Sequence, residues 1–292
     1  MKYMSIVLIS ASVIFLLAFS CTASQLKIGA SIFPVYDYLS NVADEASIQL
    51  ILPPGTDPHH YELGPKDIIK LKELDLVFYV GLGVEYWLEN PLKLLDAERV
   101  ICLSEGLVTS EKGALSTAVD YHIWLDPVIA GQMVEKIRDV LITVDPGNKE
   151  EYIKTTARYV AELEKLHQEY QKALGPWLGQ TMIVSHAAFG YLAERYGLTQ
   201  LAVTGVSAED QPSARKLADL VKQARKMHCK AIFYEPWGEQ KTMGLLAGEL
   251  GVTPLELHPL GTIMPQELGQ RTYLSIMRDN LQSLVKGFSG GK

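Results

Sequence analysis

At 292 residues and 48% apolar content the chain is long enough for two α/β lobes with full cores, since domains commonly run to about 100 to 200 residues. It carries 34 acidic against 27 basic side chains, a net −7, which argues against a nucleic-acid partner because phosphates call for a basic footprint. Three cysteines with no Cys-x-x-Cys pair argue against a thiolate metal site.

Residues 1–21 read as a secretory leader. Lys2 is the one charge there, and Met4 to Phe19 is an apolar or small run, shorter than the roughly 20 residues of a spanning helix. Ser20 and Cys21 resemble the bacterial junction at which a small residue precedes a cysteine that becomes lipidated, although Ala18 stands where leucine is usual and Phe19 is bulky. Two outcomes stay open: a lipid anchor through Cys21, or ordinary cleavage around Ala23. Either places the mature chain in a periplasmic or other extracytoplasmic space. Loss of Lys2 leaves 34 acidic against 26 basic residues, a net −8. Cys102 and Cys229 each lie beside a strand-like run and read as buried free thiols, with a disulfide between them the other possibility.

Residues 25–145 form the expected N-terminal lobe. Leu26 to Ala30 is its first strand and Ser31 to Val42 a helix with Phe33, Tyr36, Tyr38 and Leu39 on one face. The apolar run Ile48 to Leu52 is a second strand, broken by Pro53, Pro54 and Gly55. His59 and His60 therefore sit on a loop at a strand's carboxyl end, where open parallel sheets bind ligands. A helix over 66–74, a strand over 76–80 and another over 99–103 complete βαβ units. The stretch 106–119 is small and polar and reads as a mobile surface loop. Asp126 is placed to cap a helix beginning at Pro127 and running to about Val144.

A connecting helix is expected over 146–175, its body from Asn148 to Ala173. Tyr152, Tyr159, Val160, Leu163, Leu166 and Tyr170 recur there at helical spacing. Residues 176–292 form a C-terminal lobe with strands over 181–185, 200–206, 231–235 and 253–257. Helices are expected over 187–196, 213–227 and 241–250, and a last one from Pro265 to Lys286 that stops at Gly287. No sequence repeat is detectable.

His59, His186 and His258 each follow a predicted strand, and His122 precedes a helix, so four of the seven histidines fall at equivalent junctions. Imidazole suits zinc, copper, nickel and iron, and four such ligands can close a tetrahedral zinc site. His60, next to a candidate ligand, reads as a solvent-facing or outer residue. His167 and His228 read as surface residues, and Trp87, Trp124 and Trp237 as core or rim packing. Glu235, at a strand end, reads either as an acceptor fixing an imidazole tautomer or as a helix cap.

The strings GTDPHHYE, HIWLDP, SHAAFGYLAERYGL and LHPLGT, in this order around a long helix, resemble the zinc and manganese solute-binding proteins of ABC transporters, the ZnuA and TroA type. The likeness covers Leu26 to Lys286. It implies two α/β lobes, each with a mainly parallel central sheet flanked by helices, joined by a long helix with a metal site in the cleft. It also implies His59, His122 and His186 as ligands, and His186 favours zinc because manganese-type members usually carry glutamate there. The family's fourth ligand is commonly an aspartate at the position of His258, so His258 is the expected fourth ligand. The implied function is capture of Zn²⁺, with Mn²⁺ or Fe²⁺ as alternatives, by a monomer that delivers it to the membrane permease of an ABC transporter. No enzyme activity is implied. A secreted zinc hydrolase would need an open coordination position and a base, and no HExxH motif is present. An adhesin of the same fold, or a siderophore or corrinoid binder with two lobes joined by a long helix, are further readings.

Overall fold

The computed structural model describes residues 25–107, 119–206, 212–238 and 240–290. The leader and nearly all of the loop expected over 106–119 lie outside the described residues. The N-terminal half runs β1 (Lys27–Ala30), α1 (Phe33–Val42), β2 (Ser47–Leu50), α2 (Pro65–Lys72), β3 (Leu76–Tyr79), α3 (Glu89–Leu92) and β4 (Val100–Cys102). Its strands are parallel and ordered β2-β1-β3-β4. Two helices follow, α4 (Pro127–Val144) and α5 (Lys149–Leu174). The C-terminal half is β5 (Thr181–Val184), α6 (Gly190–Arg195), β6 (Thr199–Ala202), α7 (Ala214–Lys226), β7 (Ala231–Tyr234), α8 (Gln240–Leu250), β8 (Pro254–Glu256) and α9 (Tyr273–Phe288). Its order, β6-β5-β7-β8, repeats the first sheet's, a duplication that the sequence does not display.

Local chemistry sets the helix starts. Asp126 accepts the Val128 N–H ahead of α4, with Pro127 in the first helical position. The last helix begins later than its apolar pattern suggests: Thr272 and Ser275 cap each other reciprocally and fix the start of α9, while residues 265–270 form turns. Gly287 lies inside α9 and is not its cap. A Cβ there would sit 2.8 Å from the Phe233 ring and 3.0 Å from Ala231 Cβ, so the glycine lets the helix approach β7.

At 26 residues α5 is about 39 Å long, at 1.5 Å per residue. It is clamped along its length. Thr155 Oγ1 donates to Val42 O at 2.8 Å, Tyr159 to Asp37 at 2.6 Å and Tyr170 to Met277 O at 2.6 Å, while Arg278 reaches Glu169 at 3.0 Å. One apolar core runs through both halves and includes Tyr38, Trp124, Leu166 and Tyr273. A smaller cluster lies behind the second sheet. Alternation along the strands separates the two: Met182, Val184 and Phe233 face the main core, and Ile183 and Ile232 face the smaller one. The two described cysteines are free and half-buried, Cys102 beside Val80 O and Cys229 3.1 Å from Thr181 O.

Parallel sheets of this kind open a crevice where the strand order reverses, between β1 and β3 in one sheet and β5 and β7 in the other. The first crevice is filled from within. Glu85 accepts from Ser31 Oγ at 2.6 Å and from the Val80 and Gly81 N–H groups at 2.8 and 2.9 Å, and burial pushes its carboxyl up to about 7. The second crevice holds His186 and Glu235.

Candidate metal centre

Three histidines from separate segments meet between the sheets. His59 is held by Asp57, whose Oδ1 accepts the His59 N–H at 2.8 Å, and the Trp87 indole donates to Pro58 O at 3.1 Å. It lies further along the loop after β2 than the sequence suggests, because that strand ends at Leu50. His122 precedes the turn Ile123–Leu125 that leads into α4. His186 follows β5. The ring centroids of His59 lie 5.9 and 5.8 Å from those of His122 and His186, which are 5.2 Å apart. One ring nitrogen from each falls within 4.8 Å of the others, and the Nε2 atoms of His122 and His186 are 3.4 Å apart.

A partner behind each ring turns Nε2 inward. Asp120 Oδ1 accepts both the His122 N–H at 2.9 Å and Nδ1–H at 3.0 Å. Glu235 Oε1 takes His186 Nδ1 and the Ser185 hydroxyl. The Tyr121 hydroxyl lies 3.0 Å from His59 Nδ1 and donates to Val206 O at 3.2 Å, so it accepts the proton on Nδ1. Partners of this kind select the tautomer that presents Nε2 to a metal. Burial, helped by the neighbouring His122, depresses His59 to about 3, and burial likewise lowers His122. Burial also acts downward on His186, but the adjoining Glu235 more than offsets it and lifts that imidazole above its ordinary value. Glu235 is held low by His186 against the opposing effect of burial.

The cavity is lined by His59, His122, His186, Glu235, Trp237 and Thr262, among others, and measures about 20 Å³, on a scale where one water needs about 10 to 15 Å³. A larger pocket of about 280 Å³ shares Asp57, His186, Glu235 and Trp237 with it and is bordered by His60. His60 is exposed, with Nδ1 3.2 Å from Asp57. His258 is not among the three mutually close donors. It is 2% exposed and packs edge-on against Trp237 at 4.7 Å. Its Nδ1 accepts the Leu260 N–H at 2.9 Å, and its Nε2 is buried without a hydrogen-bond partner. His228 is exposed, whereas His167, expected on the surface, is half-buried with Nδ1 3.1 Å from the Tyr196 hydroxyl. Trp87 and Trp124 are buried.

Asp120 and Tyr121 escape the sequence reading. They are signalled only by adjacency to His122. Imidazole donors accept zinc, copper, nickel or iron(II) more readily than manganese. The carboxylates at the cavity are already engaged, Glu235 by Ser185 and His186 and Asp57 by the His59 N–H and His60, so neither is a free general base.

The family model described as zinc-uptake complex component A, periplasmic (ZnuA), matches residues 28–287. The chain belongs to the ZnuA family. It is 32% identical, over 97% of its length, to the zinc-binding lipoprotein AdcA of Streptococcus pneumoniae, and spans 60% of that protein. The Zn(II)-bound ZnuA-like domain of AdcA superposes with a TM-score of 0.77 at 32% identity, covering 92% of this chain and all of that domain. The high-affinity zinc uptake system protein ZnuA of Bacillus subtilis is 31% identical over 89% of this chain and 86% of its own. The laminin-binding protein Lmb of Streptococcus agalactiae, described as both adhesin and metal transporter, has a TM-score of 0.80 at 29% identity over 90% of this chain and 99% of its own. This ZnuA-type chain thus has a two-lobed α/β fold.

Proposed function

We propose that this chain captures Zn²⁺ outside the cytoplasm through His59, His122 and His186 and delivers it to the membrane permease of an ABC-type transporter, anchored through Cys21 where the leader is processed as in a lipoprotein. The observation that carries the reading is the convergence of three buried imidazoles, each with a partner behind its Nδ1. Three nitrogen donors with no carboxylate among them favour Zn²⁺ over Mn²⁺. Names of relatives point the same way, since AdcA and the B. subtilis ZnuA are zinc-binding or zinc-uptake proteins.

Metal analysis of protein purified without added metal, beside competitive titration with Zn²⁺ and Mn²⁺, tests this. One equivalent of Zn²⁺ that Mn²⁺ does not displace at comparable concentration is expected. Displacement by Mn²⁺ would overturn the zinc assignment. The likeness to Lmb favours a second role in adhesion, which laminin binding by the zinc-loaded chain would support.

A further inference from the structure

His122 and His186 come from different halves of the chain, yet their Nε2 atoms stand 3.4 Å apart. The short helix α6 follows His186 and runs from Gly190 to Arg195. It meets the segment that carries His122 at both of its ends. At its start, any Cβ on Gly190 would collide with Asp120 Oδ2, so the glycine lets the helix sit directly against the residue whose other oxygen holds the His122 ring. At its end, Arg195 Nε and Nη2 donate to Asp126 Oδ2 at 2.8 and 2.7 Å. Asp120 and Asp126 flank His122 in the chain, so α6 splints the turn on either side of that imidazole.

The Asp126 side chain is 3% exposed, and its Oδ1 is already engaged as the cap of α4, accepting the Val128 N–H at 2.9 Å. Arg195 neutralises the carboxylate through the other oxygen, and a carboxylate this buried is costly to leave without a cation. The far end of α6 is fixed in turn. Tyr196 stacks on Tyr170 of α5 at 4.9 Å, and its hydroxyl lies 3.1 Å from His167 Nδ1. Trp124 holds the turn elsewhere: its indole donates to Pro259 O at 2.8 Å and its carbonyl accepts the Tyr273 hydroxyl at 2.6 Å. Those two bonds reach the loop after β8 and the start of α9, not the segment of His186, so the spacing of the two imidazoles depends on α6.

We propose that Arg195 is a positioning residue for zinc capture: by tying α6 to Asp126 it holds His122 and His186 at a spacing that one cation can bridge before the cation arrives. This rests on the zinc-carrier reading and adds to it a residue that acts on the imidazoles only through Asp126 and α6. Donors fixed beforehand do not give up binding energy to become ordered. Without the tie, the segment after His186 and the turn after His122 would have to be brought into register by the metal itself.

Zn²⁺ competition titrations compare the wild type with Arg195→Gln, Asp126→Asn and the double variant, and Co²⁺ loading of each reads the donor geometry from its visible absorption. Asp126→Asn keeps a side chain that caps helices well, and the double variant removes both charges, so neither leaves a buried carboxylate alone. Zn²⁺ affinity about 10-fold weaker is expected in all three, the scale of ordering one or two segments on binding, with an altered Co²⁺ spectrum. The double variant should bind no more weakly than the weaker single variant, because all three break the same tie. Arg278→Gln, which removes the ion pairs of α9 with α5, should keep the affinity and the Co²⁺ spectrum of the wild type. Wild-type affinity in the double variant would overturn the inference, as would losses that add. An equal loss in Arg278→Gln would also overturn it, by making the effect one of general stability. Those three outcomes leave the carrier reading intact, whereas a wild type that binds no stoichiometric Zn²⁺ overturns that reading and the inference with it.

Discussion

Asp37 shows how the clamp between the halves can be tested without touching the metal. It lies in α1, yet its carboxylate accepts the Tyr159 hydroxyl from α5 at 2.6 Å and the Tyr273 N–H from α9 at 3.1 Å. Burial, only partly countered by these two bonds, pushes it from 3.8 up to about 6. An acid whose folded pKa exceeds its unfolded one binds the proton more tightly when folded. The contribution to stability is therefore full below about pH 3.8 and is lost as pH rises through about 6. Over the whole window this is worth roughly 3 kcal/mol, and on the order of 1 kcal/mol of that falls between pH 5 and 7. The phenols of Tyr38, Tyr159 and Tyr273 around it are all raised by burial and do not titrate there. Glu85, raised to about 7, is common to both proteins and cancels in the difference. Urea unfolding of the chelator-treated protein at pH 5 and pH 7, wild type against Asp37→Asn, is the assay. Asp37→Asn is expected to lose on the order of 1 kcal/mol less than the wild type on going from pH 5 to pH 7. Its absolute stability will also change, because an amide cannot accept with both ends, so only the pH difference counts. Identical pH dependence in the two proteins would refute the buried-carboxylate reasoning.

Among the proposed ligands, His59→Ala should cost less Zn²⁺ affinity than His122→Ala or His186→Ala in competition titration; a larger loss at His59 would contradict the ranking argued below. Gly287→Val should destabilise the protein by about 1 to 3 kcal/mol, the usual cost of overpacking, because its Cβ starts 2.8 Å from the Phe233 ring; unchanged denaturant midpoints would show that α9 can retreat freely. Small-angle scattering should detect little change on adding Zn²⁺, since α5 is bonded to α1 and α9 and one core spans both halves. A large contraction of the scattering curve would mean a hinge where none is expected.

Parallel βαβ order, the long α5 and the start of α4 at Asp126 and Pro127 were legible because each depends on local periodicity or capping. The Pro265 start for the last helix was not. Residues 265–271 carry helix-compatible side chains, and what fixes the start is the Thr272–Ser275 cap. Gly287 looked like a terminator because a glycine's packing partners, here Phe233 and Ala231, are distant in sequence. At the site, His59, His122 and His186 stood out by position, while the tautomer of His258 depends on one backbone contact with Leu260.

The three imidazoles differ less in themselves than in what stands behind them. A dication among neutral imidazoles keeps its full charge, and the nearest compensation comes from Asp120 behind His122 and Glu235 behind His186. Two carboxylates one hydrogen bond out match two positive charges, which suits a divalent cargo. An outer carboxylate also draws on the Nδ1 proton and raises the basicity of Nε2, so His122 and His186 are the stronger donors. His59 has a phenol in that place, and Tyr121 shares its own proton with Val206 O. It is also the most exposed of the three, at 9% against 1% and 2%, and the only one carried on the long loop after β2. The weakest donor thus stands on the most adaptable support. His122, by contrast, leads directly into the capped start of α4, and His186 stands at the switch point of the second sheet. Those two are pre-positioned by the fold, and His59 closes the centre from the loop side.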